Sequence, residues 1–346
     1  MALRHHRLAL LLLPLSRAYR LPAEARSAAA ALRAAEAAFT TANVPEPRLS
    51  AEHLLAAATG ATRRSDALLR LSTPLNGVPR TRFEEMCAAR LARTPVQYIV
   101  GEWDFHDLTL TLAPPVLIPR PETEELVELV LQAVRLRAPA ESAAGDELRL
   151  LDIGCGSGAI GLALLHQLRS ATCVGLDVSE AAVALALANA RRLTLEGRYE
   201  AVLEPGGIGA LAHEEPNAAS AAALGLPRRF DLIVSNPPYI PRADMAALAA
   251  EVADYEDERA LCGGEDGLDV IREIVRAAPR LLRPEGGRSI WLEVDTSHPQ
   301  ALREWLAQPH GLATGVKFMR WFPDLSGNPR FCELQWDGIT GASGPR

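Results

Sequence analysis

From residue 121 onward the chain alternates between two hydrophobic periods. The runs "ETEELVELVLQAVRL", "GAIGLALLHQL", "SEAAVALALANARRL", "LDVIREIVRAAPRLL" and "PQALREWLA" carry apolar residues every third or fourth position and predict helices. Between them lie short apolar runs, "LRLLDIG", "TCVGLDV", "RFDLIVSNPP" and "SIWLEVD", that predict buried strands, and "GVKFMRWF" and "RFCELQW" add two terminal strands. Strands alternating with helices imply an α/β domain whose mostly parallel sheet is covered on both faces. Residues 199–229 interrupt the pattern with the low-complexity run "PGGIGALAHEEPNAASAAALGLP" and read as a variable loop.

Upstream the pattern is simpler. Residues 27–95 show only the helical period, in "SAAAALRAAEAAF", "SAEHLLAAATG" and "RFEEMCAARLA", and predict a small helical domain. Ser50 stands where an N-cap would, and "STPLNGVP" breaks the run before the last of these helices. Residues 96–120 turn to strand alternation, plainest in "DLTLTL", and predict a β-hairpin linker. Residues 121–336 are read as one α/β domain, and 337–346 is expected to be a flexible tail.

Composition changes this picture at the N-terminus. Residues 1–26 carry five arginines against one acid, Glu24, around "LALLLLPL", a stretch too short to span a bilayer. Such a segment reads as a mitochondrial transit peptide, although its leucine run also suits a secretory signal. Five scattered cysteines without a CxxC pair argue against a disulfide framework and against a zinc site, so a reducing compartment, the mitochondrial matrix, is favoured and no metal is expected. The whole chain has a formal charge of −7, and loss of 1–26 makes it more acidic. It lacks the basic footprint of a duplex-DNA binder, so neither stable nucleic-acid binding nor a membrane association is expected, and a monomer is.

The first chemical motif is "LLDIGCGSGAIG", residues 150–161. Gly154, Gly156 and Gly158, interleaved with Cys155 and Ser157, fall where a strand turns into a helix, and glycine permits a tight turn and close approach of a ligand. Asp177 ends the next strand, where a carboxylate can accept both hydroxyls of a ribose. The spacing resembles motif I of class I S-adenosylmethionine-dependent methyltransferases, a Rossmann-like fold with an antiparallel terminal strand, more than a dinucleotide site. That resemblance implies S-adenosyl-L-methionine as cofactor. In many such enzymes an acid after the third strand reads the adenine amine, and here only Glu204 stands in that neighbourhood.

The second motif is Asn236-Pro237-Pro238-Tyr239, set directly after the run "DLIVS". Two prolines cannot continue a strand or a helix, so the tetrapeptide is a stiff, pre-shaped loop. It resembles the catalytic motif of methyltransferases acting on planar nitrogens, either exocyclic amines of bases or the amide of glutamine. The lone pair of such a nitrogen is delocalised. Two acceptors aimed at its hydrogens, the side-chain oxygen of Asn236 and the carbonyl of Pro237, would turn the lone pair toward the methyl and stabilise the charge developing on nitrogen. Tyr239 can cover one face of the flat group.

A third stretch, residues 95–128, contains "IPRPETE" intact at Ile118–Glu124. It closely resembles the signature of the HemK/PrmC family, the glutamine methyltransferases of peptide-chain release factors. The similarity extends to the helical N-terminal domain, the hairpin, "NPPY", "YEDERALCGGEDGLD", "IWLEVD" and "DLSGNPRF". It implies methylation of the glutamine in the Gly-Gly-Gln loop of class I release factors, mitochondrial ones given the presequence. Residues 27–95 would then help to dock the protein substrate. Carried onto this chain, Gly154 to Gly158 and Asp177 hold the cofactor, Asn236 to Tyr239 the glutamine, and Phe105, Pro121, Glu122 and Thr123 wall the pocket near the methionine end, with Asn236 touching both ligands. Acids at a helix start, as at Glu122 and Glu124, also stabilise any helix through its dipole. The alternatives are methylation of adenine in nucleic acid or of another protein side chain.

Overall fold

The computed structural model describes residues 19–61, 63–141, 148–213, 229–285 and 288–338. The chain divides into two compact units, Met1–Val100 and Gly101–Arg346. Most of the N-terminal stretch expected to be a transit peptide, the low-complexity run after residue 213 and nearly all of the expected C-terminal tail lie outside the described residues.

The first unit is helical: α1 (Ala28–Thr41), α2 (Pro47–Thr59), α3 (Arg64–Leu68), α4 (Gly77–Leu91) and α5 (Val96–Val100). Ser27 caps α1, its side chain accepting from the Ala30 amide. Leu32, Phe39, Leu54, Leu55 and Phe83 form a closed apolar centre, which offsets the entropy of ordering the chain. Two sequence expectations move here. Ser50 is not an N-cap but lies one turn inside α2, which starts at Pro47 because proline's fixed φ suits the first helical position. Val96–Val100 is helical instead of extended, with Ile99 N–H donating to the Pro95 carbonyl, and Gly101, at φ +84, ends it. The boundary at residue 26 cuts through packed chain, since Leu21 and Ala25 are buried and Arg80 donates to the carbonyls of Leu21, Pro22 and Ala25.

The second unit opens with the expected hairpin, β1 (Glu102–Phe105) and β2 (Leu108–Thr111), turning through His106 in the left-handed region. After α6 (Pro121–Glu141) come β3 (Arg149–Ile153), α7 (Ala159–Gln167), β4 (Thr172–Asp177), α8 (Glu180–Arg192), β5 (Tyr199–Leu203) and α9 (Gly207–His213). The chain then adds β6 (Leu232–Ser235), α10 (Ala250–Ala253), α11 (Asp269–Leu281), β7 (Ser289–Glu293), α12 (His298–Leu306), α13 (Pro309–Leu312), β8 (Val316–Pro323) and β9 (Pro329–Trp336). Residues 199–213, expected as loop, therefore hold a strand and a helix.

The seven strands run in the order β5-β4-β3-β6-β7-β9-β8, with the first five parallel and β9 antiparallel to both β7 and β8. This is the class I methyltransferase fold expected from the motifs. One core packs α11 and α12 against the sheet through Ile271, Ile274, Leu302, Ile290 and Leu334. The chain winds outward from β3 through β4 to β5, then crosses back to place β6 on the other side of β3. Between β3 and β6 the connections diverge in opposite directions, which opens a crevice at the carboxyl ends of those strands.

Candidate active site

Both chemical motifs sit at that crevice. Ile153 and Ser235 are paired residues of β3 and β6, so Gly154 and Asn236 leave the sheet side by side. Ser235 donates its hydroxyl to the Ile153 carbonyl at 2.6 Å, clamping the two strand ends together. A Cβ on Gly154 would lie 3.9 Å from the Asn236 backbone oxygen. The glycine turn and the Asn-Pro-Pro-Tyr loop are thus the two lips of one opening.

Gly154, Gly156 and Gly158 all take left-handed φ values, +71, +55 and +82, which L side chains rarely adopt. The turn is anchored from two sides. Gly156 N–H donates to Asp177 Oδ2 at 2.9 Å, and the fully buried Asn189 of α8 donates to the Ser157 carbonyl while exchanging two hydrogen bonds with the Thr111 backbone of the hairpin. Asp177 takes a second amide, that of Ser179, on Oδ1. A carboxylate has about four lone-pair sites, so acceptor capacity remains for a hydroxyl donor. Burial pushes the Asp177 carboxyl above the usual range, and the amides of Gly156, Ser179 and Val178 oppose that rise.

Gly154, Gly156, Asp177, Asn236 and Pro238 border one cavity, whose apolar sides include Val116, Leu176 and Ile208. Its residues suit S-adenosylmethionine. Glycines leave room for close approach, Asp177 offers free acceptor sites, and apolar walls can take a purine. Glu204 follows β5 directly, its N–H donating to the Asp177 carbonyl, and it borders the cavity. The other expected site residues are not among those that line this cavity. Cys155 is buried, its sulfur within 2.9 Å of where a Cβ on Gly175 would stand, and Ser157 is buried too. Phe105 is 2% exposed at the end of β1, and Pro121 and Glu122 open α6.

Thr123 lies directly behind Asn236. The amide nitrogen of Asn236 donates to Thr123 Oγ1 at 3.1 Å, and the Thr123 hydroxyl donates to Glu293 Oε2 at 2.7 Å. Tyr239 reaches the other oxygen of Glu293 at 3.4 Å. Glu293, 1% exposed at the end of β7, was not singled out in the sequence. Its signal is an acid inside the otherwise apolar run "SIWLEV". Burial pushes its carboxyl up to about 7, and neighbouring Glu122 adds to that, against the lowering effects of Thr123, Arg330 and Tyr239.

The loop itself rests on glycines. Ile240 N–H donates to the Leu261 carbonyl and Gly263 N–H to the Ile240 carbonyl. A Cβ on Gly263 would come within 2.6 Å of the Pro238 oxygen, so this residue fits under the prolines only without a side chain. Among the described residues, no group of three or more His, Cys, Asp or Glu side chains could hold a metal, and no helix is long and apolar enough to cross a membrane. The five cysteines are free.

Residues 30–101 match the PrmC N-terminal domain and residues 144–322 a methyltransferase domain. The human protein named MTRF1L release factor glutamine methyltransferase is 42% identical over 87% of this chain and 85% of its own length. Release factor glutamine methyltransferases of Geobacter sulfurreducens and Cereibacter sphaeroides are 43% and 39% identical, over 75% and 88% of this chain and 80% and 96% of theirs. The chain belongs to the release factor glutamine methyltransferase family. It is an enzyme that uses S-adenosylmethionine, and the crevice between β3 and β6 is where its family's two motifs converge.

Proposed function

We propose that this methyltransferase modifies the side-chain amide nitrogen of the glutamine in the Gly-Gly-Gln motif of class I peptide-chain release factors, and that it does so in the mitochondrial matrix. The observation that carries the reading is the orientation of Asn236. Its NH₂ group is taken by Thr123, which leaves Oδ1 as an acceptor beside the glycine turn. An acceptor there suits a substrate nitrogen that carries two hydrogens. Names of relatives from human and bacteria point to glutamine as its source.

Bound S-adenosylmethionine supplies an electrophilic methyl group. Gly154, Gly156 and Gly158 admit the cofactor to the backbone, with Cys155 and Ser157 shaping the turn from within, and Asp177 holds its ribose hydroxyls. Asn236 Oδ1 and the Pro237 carbonyl accept the two amide hydrogens of the glutamine, directing its lone pair to the methyl and stabilising the positive charge that grows on nitrogen. Pro238 keeps that carbonyl in place. Tyr239, anchored on Glu293, covers one face of the planar amide. Pro121, Glu122 and Thr123 support the methionine side from α6, and Phe105 braces the hairpin from inside. The helical first unit, which matches the PrmC N-terminal domain, is read as the part that docks the protein substrate.

The test uses purified enzyme, labelled cofactor, an intact release factor and its Gly-Gly-Gln variant with glutamine changed to alanine. Methyl transfer only to the factor that keeps the glutamine is expected, with Asn236→Ala lowering turnover on the order of a hundredfold and leaving cofactor affinity largely intact. Labelling of the alanine variant, or of DNA in preference to release factor, would overturn the substrate.

A further inference from the structure

An asparagine amide has two ends of opposite character, and a rotation of half a turn exchanges them. In the active site described above, only the oxygen end can receive a substrate NH₂. Something must therefore hold the Asn236 amide one way round, and the line of hydrogen bonds behind it has a single direction. Glu293, as a carboxylate, can only accept, so the Thr123 hydroxyl spends its one hydrogen on Oε2. Thr123 Oγ1 then has only lone pairs to offer, and it takes the Asn236 NH₂. Oδ1 is left facing the opening.

We propose that Glu293 and Thr123 are positioning residues which fix the orientation of the Asn236 amide, and that Glu293 does so only as the carboxylate. The proposal rests on the reading of Asn236 as the acceptor for the substrate amide. A proton on Glu293 reverses the line. The carboxylic acid donates to Thr123 Oγ1, the threonine hydrogen is released toward Asn236, and the amide that accepts it turns its NH₂ to the substrate. Two donors then face each other.

The surroundings put this reversal within reach of ordinary pH. Glu293 is almost wholly buried, with Glu122 on α6 disfavouring its charge and Arg330 on β9, Thr123 and the Tyr239 hydroxyl favouring it; the balance leaves its carboxyl at about 7. Arg120, just before α6, acts on the Tyr239 hydroxyl. Asn236 thus senses the protonation of a side chain that reaches it only through Thr123.

The experiment measures kcat, KM for release factor and cofactor affinity from pH 6 to 9 for wild type, Thr123→Val, Thr123→Ser, Glu293→Gln and Asn236→Ala. Thr123→Val should lower kcat tenfold or more with cofactor affinity within about twofold, and Thr123→Ser, which keeps the hydroxyl, should restore it. Wild-type kcat should fall on the acid side with a midpoint near 7. Glu293→Gln removes the titrating group and should lack that limb, while Thr123→Val cuts the line to Asn236 and should keep only the part of it that passes through Tyr239. If Thr123→Val keeps wild-type kcat while Asn236→Ala loses it, or if the acid limb persists in Glu293→Gln, the relay falls and the role of Asn236 stands. If Asn236→Ala itself keeps wild-type turnover, the reading of the site falls.

Discussion

Gly267 presses its α-carbon against the Tyr239 carbonyl so closely that no side chain fits between them. A Cβ there would overlap that oxygen and would also come within 2.9 Å of His298 Nε2, and the backbone sits at φ +78. His298 is itself 2% exposed at the start of α12, and burial holds its imidazole below its usual pKa, in the neutral form. The last residue of the Asn-Pro-Pro-Tyr loop is thus held from below by chain that is distant in sequence.

Gly267→Ala should displace Tyr239 without touching the cofactor turn. Strain at a left-handed φ and overpacking together cost about 3 kcal/mol, divided between lower stability and a shifted loop. Turnover should fall tenfold or more while cofactor affinity stays within about twofold, and Gly197→Ala, where a Cβ meets nothing within 4 Å, should be neutral. Steady-state kinetics with calorimetry of cofactor binding would check it.

Asp177 anchors the glycine turn through Gly156, and in the proposed site its remaining acceptor capacity serves the cofactor. Asp177→Ala should weaken S-adenosylmethionine binding by about 2 kcal/mol, roughly thirtyfold, through loss of charge-assisted hydrogen bonds. Calorimetry gives the number directly. Asp177→Asn, which keeps one acceptor oxygen, should fall between.

Asp152 is fully buried beneath the same turn, with Oδ2 accepting from the Gly161 amide and Oδ1 unpartnered among the described residues. Burial, reinforced by the charge of Asp177, pushes its carboxyl up to about 7. A folded-state pKa raised above the unfolded value favours folding at low pH, and that contribution is lost as pH rises through 7. Asp152→Asn cannot ionise. Its stability relative to wild type should therefore improve by about 1 kcal/mol between pH 6 and pH 8, read from urea unfolding at both values. Glu293 titrates in the same window in both proteins, so the difference isolates Asp152.

The two motifs were legible because their chemistry is local. A glycine turn between strand and helix, and a proline-stiffened loop after a strand, announce their geometry in a few consecutive residues. Glu293 was not legible, because its meaning comes from Thr123, which is 170 residues away in sequence and meets it only in the fold. Edges were the other weakness. β5 lies at the rim of the sheet with Tyr199 alone among its five residues fully buried, so "YEAVL" lacks the apolar run that marked the inner strands. Val96–Val100 has β-branched residues that read as extended, yet Pro95 and Gly101 bracket it as a single helical turn. Ser50 matched the chemistry of a cap, but Pro47 and the left-handed Glu46 had already started the helix.

The N-terminal boundary gives the last prediction. A presequence ending at residue 26 would remove Leu21 and Ala25, 5% and 3% exposed, from the helical unit. It would also take from Arg80 its three carbonyl acceptors and from the largely buried Glu84 the Arg20 guanidinium and the Leu21 amide. Exposure of a leucine pocket costs about 2 kcal/mol, and Arg80 and Glu84, left with only their mutual ion pair, each lose hydrogen bonds worth about 1 kcal/mol. A chain beginning at Ser27 should therefore be less stable by about 4 kcal/mol in this unit than one beginning at Tyr19, a fall in its melting temperature of more than 10 °C. If the chain is imported into mitochondria as proposed, maturation that preserves these contacts cuts before Arg20. N-terminal sequencing of the protein recovered from mitochondria, beside thermal unfolding of the two shortened chains, decides it. A mature terminus after residue 26, or equal melting of the two chains, would show that residues 19–26 are dispensable packing.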